Sequence, residues 1–474
     1  MSHSPESLLD KAESLRWKLP QNVDDRIAES LYGTAADLAS RHVARHGSSL
    51  RLTWQRRLDQ LLTGKFTGLL MMLVVFAFIL WLTIQGANVP SGLIADLLIG
   101  QIYPWLHKVA DFLHSPHWLT GLSIDGVYLA TAWVISVMLP PMTIFFPLFT
   151  MLEDFGYLPR VAFNLDRAFQ KVGAHGKQAL TMSMGLGCNA AGVIACRIID
   201  SPRERLIAIL TNNFSLCNGR WPTQILIATV FIGPLVPAPL SGVTAAACVL
   251  GVACLGFALT FASSLVLSLT VLRGEASTFS LELPPYRPPS ILRTLYTSLI
   301  DRTLFVLWRA VVFAAPAGAV IWIVANVSLG GQPLATWAID ALAPLAWVMG
   351  LSGIILLAYI IAIPANEIII PTILMLTVQY AGLSGLGDGA GVMFKTEDHI
   401  LLTILDAGGW TLLTAVCLML FSLAHNPCST TIYTIYKETG SWKWAALATA
   451  MPLAVGFSLC SLVALLWRLA APLL

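Results

Sequence analysis

Apolar residues run along this chain in long blocks, and the polar positions between them are gathered into short clusters. Blocks near residues 66–84, 127–152, 304–327, 342–363, 368–380, 400–423 and 444–466, with another ending near 272, mostly reach the length of about 20 residues that crosses a hydrocarbon core. In lipid every backbone polar group needs an internal partner, so the spans should be helices. The pattern predicts an all-α polytopic membrane protein with about eight or nine transmembrane helices. Before the first block, residues 24–42 carry Ile27, Leu31, Ala35 and Leu38 along one face and Asp24, Asp25, Glu29 and Asp37 off it, the spacing of a short amphipathic helix.

Composition agrees: 56% of the 474 residues are hydrophobic and 11% charged, where a soluble domain has about 25% charged. A net charge of +2 gives no footprint for nucleic acid. The basic residues report topology instead. Arg41, Arg45, Arg51, Arg56, Arg57 and Lys65 precede the first block, which lacks the apolar core of a signal peptide ahead of it, so the N-terminus is expected on the cytoplasmic side. Residues 85–126 contain Pro90, Pro104 and Pro116, with Lys108 as the only Lys or Arg. They are expected outside, partly in the interface. Glu153 and Asp154, close to Arg160, read as an ion-pair network at the inner face. Residues 178–196 have basic flanks at both ends, from Lys171 and Lys177 to Arg197, Arg203 and Arg205, and should therefore enter and leave on one side. Residues 273–302 carry four arginines and a run of prolines, as an extended cytoplasmic loop would.

Polar clusters also fall inside the apolar blocks, and they match across the two halves of the chain. Gly185 to Asn189 and Asn212 to Arg220 interrupt the first half; Pro364 to Glu367 and His425 to Thr431 interrupt the second. Interrupted helices at matching places are the sequence mark of a transporter's binding site. The glycines Gly185 and Gly187 permit tight backbone beside Cys188 and Asn189, although a close helix crossing needs the same residues. Cys217 and Asn218 stand in a stretch too polar to face lipid, which a cytoplasmic loop flanked by Arg205 and Arg220 would also explain. Asn426, Pro427 and Cys428 join a helix breaker to a third thiol, or form a plain proline kink. Thiols favour transition metals over Mg and Ca. The eight cysteines form no C-x-x-C pair, so neither a zinc ribbon nor a disulfide framework is expected. Glu367 and Asp406 are carboxylates within apolar runs, which are costly and usually functional; Asp406 is the second ion-path candidate. Gly176-Lys177 lacks the first glycine and the Ser/Thr of a phosphate loop, and H-E-x-x-H and G-x-S-x-G are absent, so this chain is not expected to be an enzyme.

Seven strings in order, LEDFGYLPRVAFNLDR, GLGCNAAGVIACR, SPRERLIAIL, NNFSLCNGRWP, RGEASTFSLELPPYRPP, IPANEIIIP and NPCSTTIYTIYKETGSWKWA, closely resemble the membrane domain of the ferrous iron transport protein B (FeoB) family, over about residues 54–467. The resemblance implies re-entrant or broken helices in two inverted gate-type repeats, with Cys188, Cys217 and Cys428 meeting iron in the pore. It implies three parts: 1–60, a cytoplasmic helical segment like the end of the family's linker from GTPase to membrane; 61–280, a first gate-containing half; and 281–474, a second. The chain starts after the point where the family's GTPase would end. Ala191 stands where the family usually has proline, Leu216 and Asn218 replace serines, and Asn366 replaces a lysine beside the glutamate.

These observations predict transport of a divalent transition metal, most of all Fe(II), through a bacterial cytoplasmic (inner) membrane, with Cys188, Asn189, Cys217, Cys428 and Glu367 as metal contacts. Gly185, Gly187, Asn218, Asn426 and Pro427 would shape the gate backbone. No permanent cofactor is expected. The expected partners are the bilayer and the metal, with a separately encoded GTPase, a small cytoplasmic accessory protein and a second copy of the chain left open. The competing readings are carriage of another divalent metal or a nucleoside-like solute, and a non-transporting receptor or scaffold for a GTPase.

Overall fold

The computed structural model describes residues 23–42, 50–64, 66–273, 286, 290–382 and 398–470. Of the extended loop expected at 273–302, residues 274–285 and 287–289 lie outside the described residues, as do most of the segments before Leu50. Residues 291–302 are not extended but helical, Ile291–Thr297 running through a π-helical segment Ser298–Leu304 into the apolar helix that follows. Nearly all described secondary structure is helical; a two-stranded hairpin, Ser328–Leu329 with Gln332–Pro333, is the exception. Helix α1 spans Val23–His42, with Ile27, Leu31 and Leu38 of its apolar face exposed, and α2 spans Leu50–Thr63.

Helix α3, Thr67–Ala95, continues through a π-helical turn, Asp96–Ile102, into α4, Tyr103–Phe112. After the short turn at 113–116 the chain returns as His117–Thr120, a second π-helical segment Gly121–Tyr128, and α5, Leu129–Phe155. Residues 85–126, with their three prolines, are expected as a broken segment outside, partly in the interface. The structure makes them the tip of a long helical hairpin: Pro90 sits within α3 without ending it, and Pro104 stands just after the π-helical turn without breaking the continuous helix that runs to Phe112. Gly126 and Gly318 let this hairpin press against Trp322: a Cβ on Gly126 would lie 2.9 Å from the Gly318 carbonyl oxygen and 3.1 Å from Cβ of Trp322. Arg160, on α6 (Tyr157–Lys171), donates to Asp59 of α2 at 2.8 Å and lies 3.8 Å over the Tyr286 ring, so the network at this end of the hairpin includes Asp59.

The gate core follows. Helix α7, Gln178–Gly187, ends at Cys188, and α8, Asn189–Ala195, turns back beside it: a Cβ on Gly192 would sit 2.8 Å from the Thr181 carbonyl. Lys177 and Asp200, which bracket the pair, form an ion pair at 2.7 Å. Both ends of this hairpin therefore lie together, in line with its basic flanks. Helices α9 (Pro202–Thr211) and α10 (Trp221–Ile227) enclose the second break, and the long α11 (Ala238–Leu269) follows. The second half has α12 (Phe305–Asn326), α13 (Leu334–Val348), α14 (Gly353–Ile361), α15 (Ile369–Tyr380), α16 (Asp398–Ala407), α17 (Leu412–Leu423), α18 (Ser429–Thr439) and α19 (Trp442–Ala470).

Five helices among the described residues are long and apolar enough to cross a membrane, or six if α13 and α14, which meet at 110°, are one span. The eight or nine spans expected from hydropathy are not confirmed among the described residues, where unbroken apolar sequence hides real breaks. The block at 342–363 divides where Gly350 takes φ +70° and the Ser352 side chain caps α14; the block at 400–423 divides where Gly409 takes φ +69° and Thr411 caps α17. Leucines and valines on the long helices point outward, whereas Gln178, Asn212, Asn213, Arg220, Gln224, His425 and Thr431 are buried in the gate core. Polar groups inside and apolar ones outside is the arrangement a bilayer demands.

Candidate functional site: the cavity between four broken helices

Each break leaves backbone groups that a helix would have satisfied, and neighbouring breaks satisfy one another. At the first, Cys188 is extended (φ −153°, ψ 120°) and caps α8. Gly187 has no room for a Cβ, which would enter the Phe145 ring, and Gly185 and Gly192 admit the Asn212 amide, which donates to Asn189 O at 2.9 Å. At the second, Asn218 N donates to Gly187 O at 3.2 Å, and Trp221 N returns to Cys217 O. The third, after α14, passes through Pro364 and Ala365 to a turn at Asn366–Ile368. The fourth, after α17, passes through His425 to Pro427, and Ser429 N donates to Ile363 O at 3.0 Å.

Arg220 joins the two halves. Sequence made it the flank of a loop, yet it is 1% exposed. Its guanidinium donates to Asn213 O at 2.7 Å and Asn213 Oδ1 at 2.9 Å in its own half, and to Leu423 O at 3.1 Å and Asn426 O at 3.4 Å in the other. Leu423 O is a carbonyl that the end of α17 leaves free, and Asn426 O belongs to the break beyond it. Asn213 Nδ2 also crosses, donating to His425 O at 2.6 Å.

Where the breaks meet there is a cavity of about 30 Å³. Cys188, Cys217, Cys428 and Glu367 line it, with Gly187, Asn189, Asn218, Gly219, Asn366, Thr430 and Thr431. Met138 and Met142 of α5 and Val306 and Ala310 of α12 close its sides. The volume suits one water or one bare ion. Glu367 reaches it across Gly219, where a Cβ would collide with the carboxylate. Thr431 Oγ1 lies 3.2 Å from Cys428 Sγ. Among the described residues no three His, Cys, Asp or Glu side chains converge at metal-binding distance, so the cavity is not a closed cage.

Seven of the residues singled out from sequence thus share one cavity: Gly187, Cys188, Asn189, Cys217, Asn218, Glu367 and Cys428. Gly185, Asn426 and Pro427 stand behind it as supports. Asp406 does not join them; it is exposed near the end of α16, apart from the lining residues. Sequence reasoning missed Met138, Met142, Gly219 and Arg220. Two methionines bracketing Pro140-Pro141 inside an apolar block were the signal for the first pair.

Fold and site define a polytopic helical membrane protein whose interior is built from four helix breaks. The gate family model, described as nucleoside recognition, matches residues 135–231 and 291–442, and the model for the ferrous iron transport protein B C terminus matches 249–301. The chain belongs to the gate family, and its matches are consistent with a FeoB membrane domain. It is 28% identical over 414 residues to an Fe(2+) transporter FeoB of Staphylococcus aureus strain COL, covering 85% of this chain and 58% of that protein. A Staphylococcus aureus strain MSSA476 relative is 26% identical over 467 residues, covering 95% and 66%. A Salmonella typhimurium Fe(2+) transporter FeoB is 32% identical over 275 residues, covering 57% and 32%. The chain therefore spans about three-fifths of the length of the first two curated relatives. No solved structure matches it significantly.

Proposed function

We propose that this chain carries a divalent transition metal, foremost Fe(II), across a bacterial cytoplasmic membrane, with its N-terminus on the cytoplasmic side. The observation that carries the reading is the single cavity at which all four breaks meet, lined by three thiols and one carboxylate. Soft sulfur with one hard oxygen suits first-row divalent ions and disfavours Mg and Ca. An open ligand set with water is what release requires. A nucleoside-sized solute, which the gate description suggests, needs a pocket of about 300 Å³ or more, and 30 Å³ does not admit one.

The test is uptake into liposomes of iron(II), manganese, cobalt and zinc by the purified chain and by Cys188→Ser, Cys217→Ser, Cys428→Ser and Glu367→Gln. Iron flux should fall about tenfold or more in each variant, the equivalent of about 1.4 kcal/mol of lost interaction, with melting temperatures within a few degrees of the parent. Undiminished iron flux in all four variants would reject the cavity as the path.

A further inference from the structure

The long hairpin holds a second group of donor atoms far from the cavity. Met138 lines the cavity, and Asp125 lies thirteen residues earlier on the same continuous helix, His117–Phe155. At about 1.5 Å per residue this is about 20 Å away, toward the membrane face opposite Glu153 and Asp154. Two groups meet on one Asp125 oxygen: the Tyr103 hydroxyl donates to Oδ1 at 2.6 Å, and His107 Nε2 lies 2.8 Å from the same atom. The two rings pack edge-on with centroids 4.7 Å apart, which fixes the imidazole. The His107 side chain is 33% exposed and that of Asp125 23%, so solvent reaches both.

A simple tie between the two limbs of the hairpin would use such bonds too. That tie exists already one turn away, where Tyr128 Oη donates to Leu98 O at 2.8 Å, and Tyr103 alone would double it. The imidazole adds a nitrogen donor beside a carboxylate. Both limbs are π-helical beside the cluster, over Asp96–Ile102 and Gly121–Tyr128, a distortion common at functional sites. The segment 96–125 holds Asp96, Asp111 and Asp125 against Lys108 alone, and His114 and His117 follow at the exposed turn. The local field thus favours cations.

We infer that His107 and Asp125 form a capture site for a divalent transition metal at the outer end of the hairpin, with Tyr103 holding the carboxylate in place. Two donors each bound about 2.1 Å from one ion at right angles lie about 3 Å apart, close to the separation in the structure. The ion replaces the proton shared by Nε2 and Oδ1, which passes to solvent; it bridges the two atoms from beside the line that joins them, the imidazole keeps its hydrogen on Nδ1, and water fills the remaining positions. Two protein ligands make the site weak and quick to release. Its purpose, delivery toward the cavity, rests on the transport reading; the binding does not.

The experiment uses the full chain in detergent with Cys188, Cys217 and Cys428 all changed to serine, titrated with cobalt(II) and followed by visible absorption and calorimetry. One cobalt equivalent should remain in this background. His107→Ala and His107→Gln should each weaken it at least tenfold, the glutamine keeping an N–H for Asp125 and so preserving the fold, and Tyr103→Phe should weaken it several-fold. Cobalt binding unchanged in His107→Gln would overturn the site, as would absence of any cobalt equivalent in the serine background. Failure of the cavity reading would appear separately, as undiminished iron flux in the cysteine variants.

Discussion

In the first half of the gate the residue after Cys217 donates its N–H to Gly187 O, and in the second half the residue after Cys428 donates to Ile363 O. Laid over one another by this bond, the halves put Cys188 opposite Pro364 and Cys217 opposite Cys428. The backbone device is shared; the side chains are not. In the first half amides and a guanidinium fill the break, and the positions beside it are glycines that admit Asn212. In the second a proline stops the helix, and Leu423 O at the end of α17 and Asn426 O in the break after it are left for Arg220 to bond. One half supplies two thiols, and the other supplies a thiol and Glu367. The comparison teaches that a duplicated scaffold needs only one copy of the polar tie, and the other copy is released to vary its ligands.

The sharpest way to break that comparison is to remove the tie. Arg220→Met leaves Asn213 O and Leu423 O buried without their donor, each costing about 1–3 kcal/mol, and leaves Asn213 Oδ1 with Asn189 Nδ2 alone at 3.3 Å. The protein should lose about 4 kcal/mol of stability, measured by thermal unfolding in detergent. Arg220→Lys should recover only part of this, since an ammonium lacks the fork that reaches both halves. An unchanged melting temperature in Arg220→Met would mean that each half closes its own break.

How much of this was open to a reader of the sequence follows from what hydropathy can register. Cys188, Cys217, Cys428 and Glu367 stand out because polar atoms in apolar blocks are rare, and the structure gathers all four at one cavity. Arg220 stood out as a charge, but its neighbours Arg205 and Asn212 gave it the look of a loop; beside the local bonds to Asn213, its partners in the other half lie about 200 residues away, beyond any local pattern. The turn between α13 and α14 left no hydropathic trace because Gly350 and Ser352 made it by backbone conformation and capping. Asp406 misled for the reverse reason: the apolar block around it is the end of one helix and the start of another, and the carboxylate lies on the exposed side of the junction.

A finer test concerns the seat of the ligand that the second half adds. Gly219 belongs to the first half, and the Glu367 carboxylate occupies the space of its missing Cβ. Gly219→Ala should push the carboxylate from the cavity, costing about 1–3 kcal/mol by overpacking and lowering metal flux several-fold. The pair Gly219→Ala with Glu367→Asp should regain stability, because the shorter side chain withdraws by one methylene. Additive losses in that double variant would show that the two residues do not meet.

The smallest effect belongs to the ion pair that gathers the ends of the first hairpin, a feature with no counterpart among the described salt bridges of the second half. Lys177 Nζ lies 2.7 Å from Asp200 Oδ2, and the Asp200 side chain is 83% exposed. The hydrogen bond and charge of Lys177, aided by His175 and Arg205, hold the Asp200 carboxyl below its ordinary range. A depressed carboxyl stabilises the fold above its unfolded value near 3.9 and stops doing so as pH falls through the folded value. An exposed pair of this kind contributes at most about 1 kcal/mol. Asp200→Asn should therefore lower the melting temperature slightly at pH 7, and the difference from the parent should shrink as pH falls below about 4. Burial pushes the nearby His175 imidazole below its ordinary range, so both proteins lose stability on acidification. Because the Asp200 charge also acts on His175, the comparison is made in a His175→Gln background, where subtracting one curve from the other isolates Asp200. A difference that persists undiminished at pH 3 would show that Asp200 acts through its shape and not its charge, and the hairpin ends would then be held by the packing of α7 on α8.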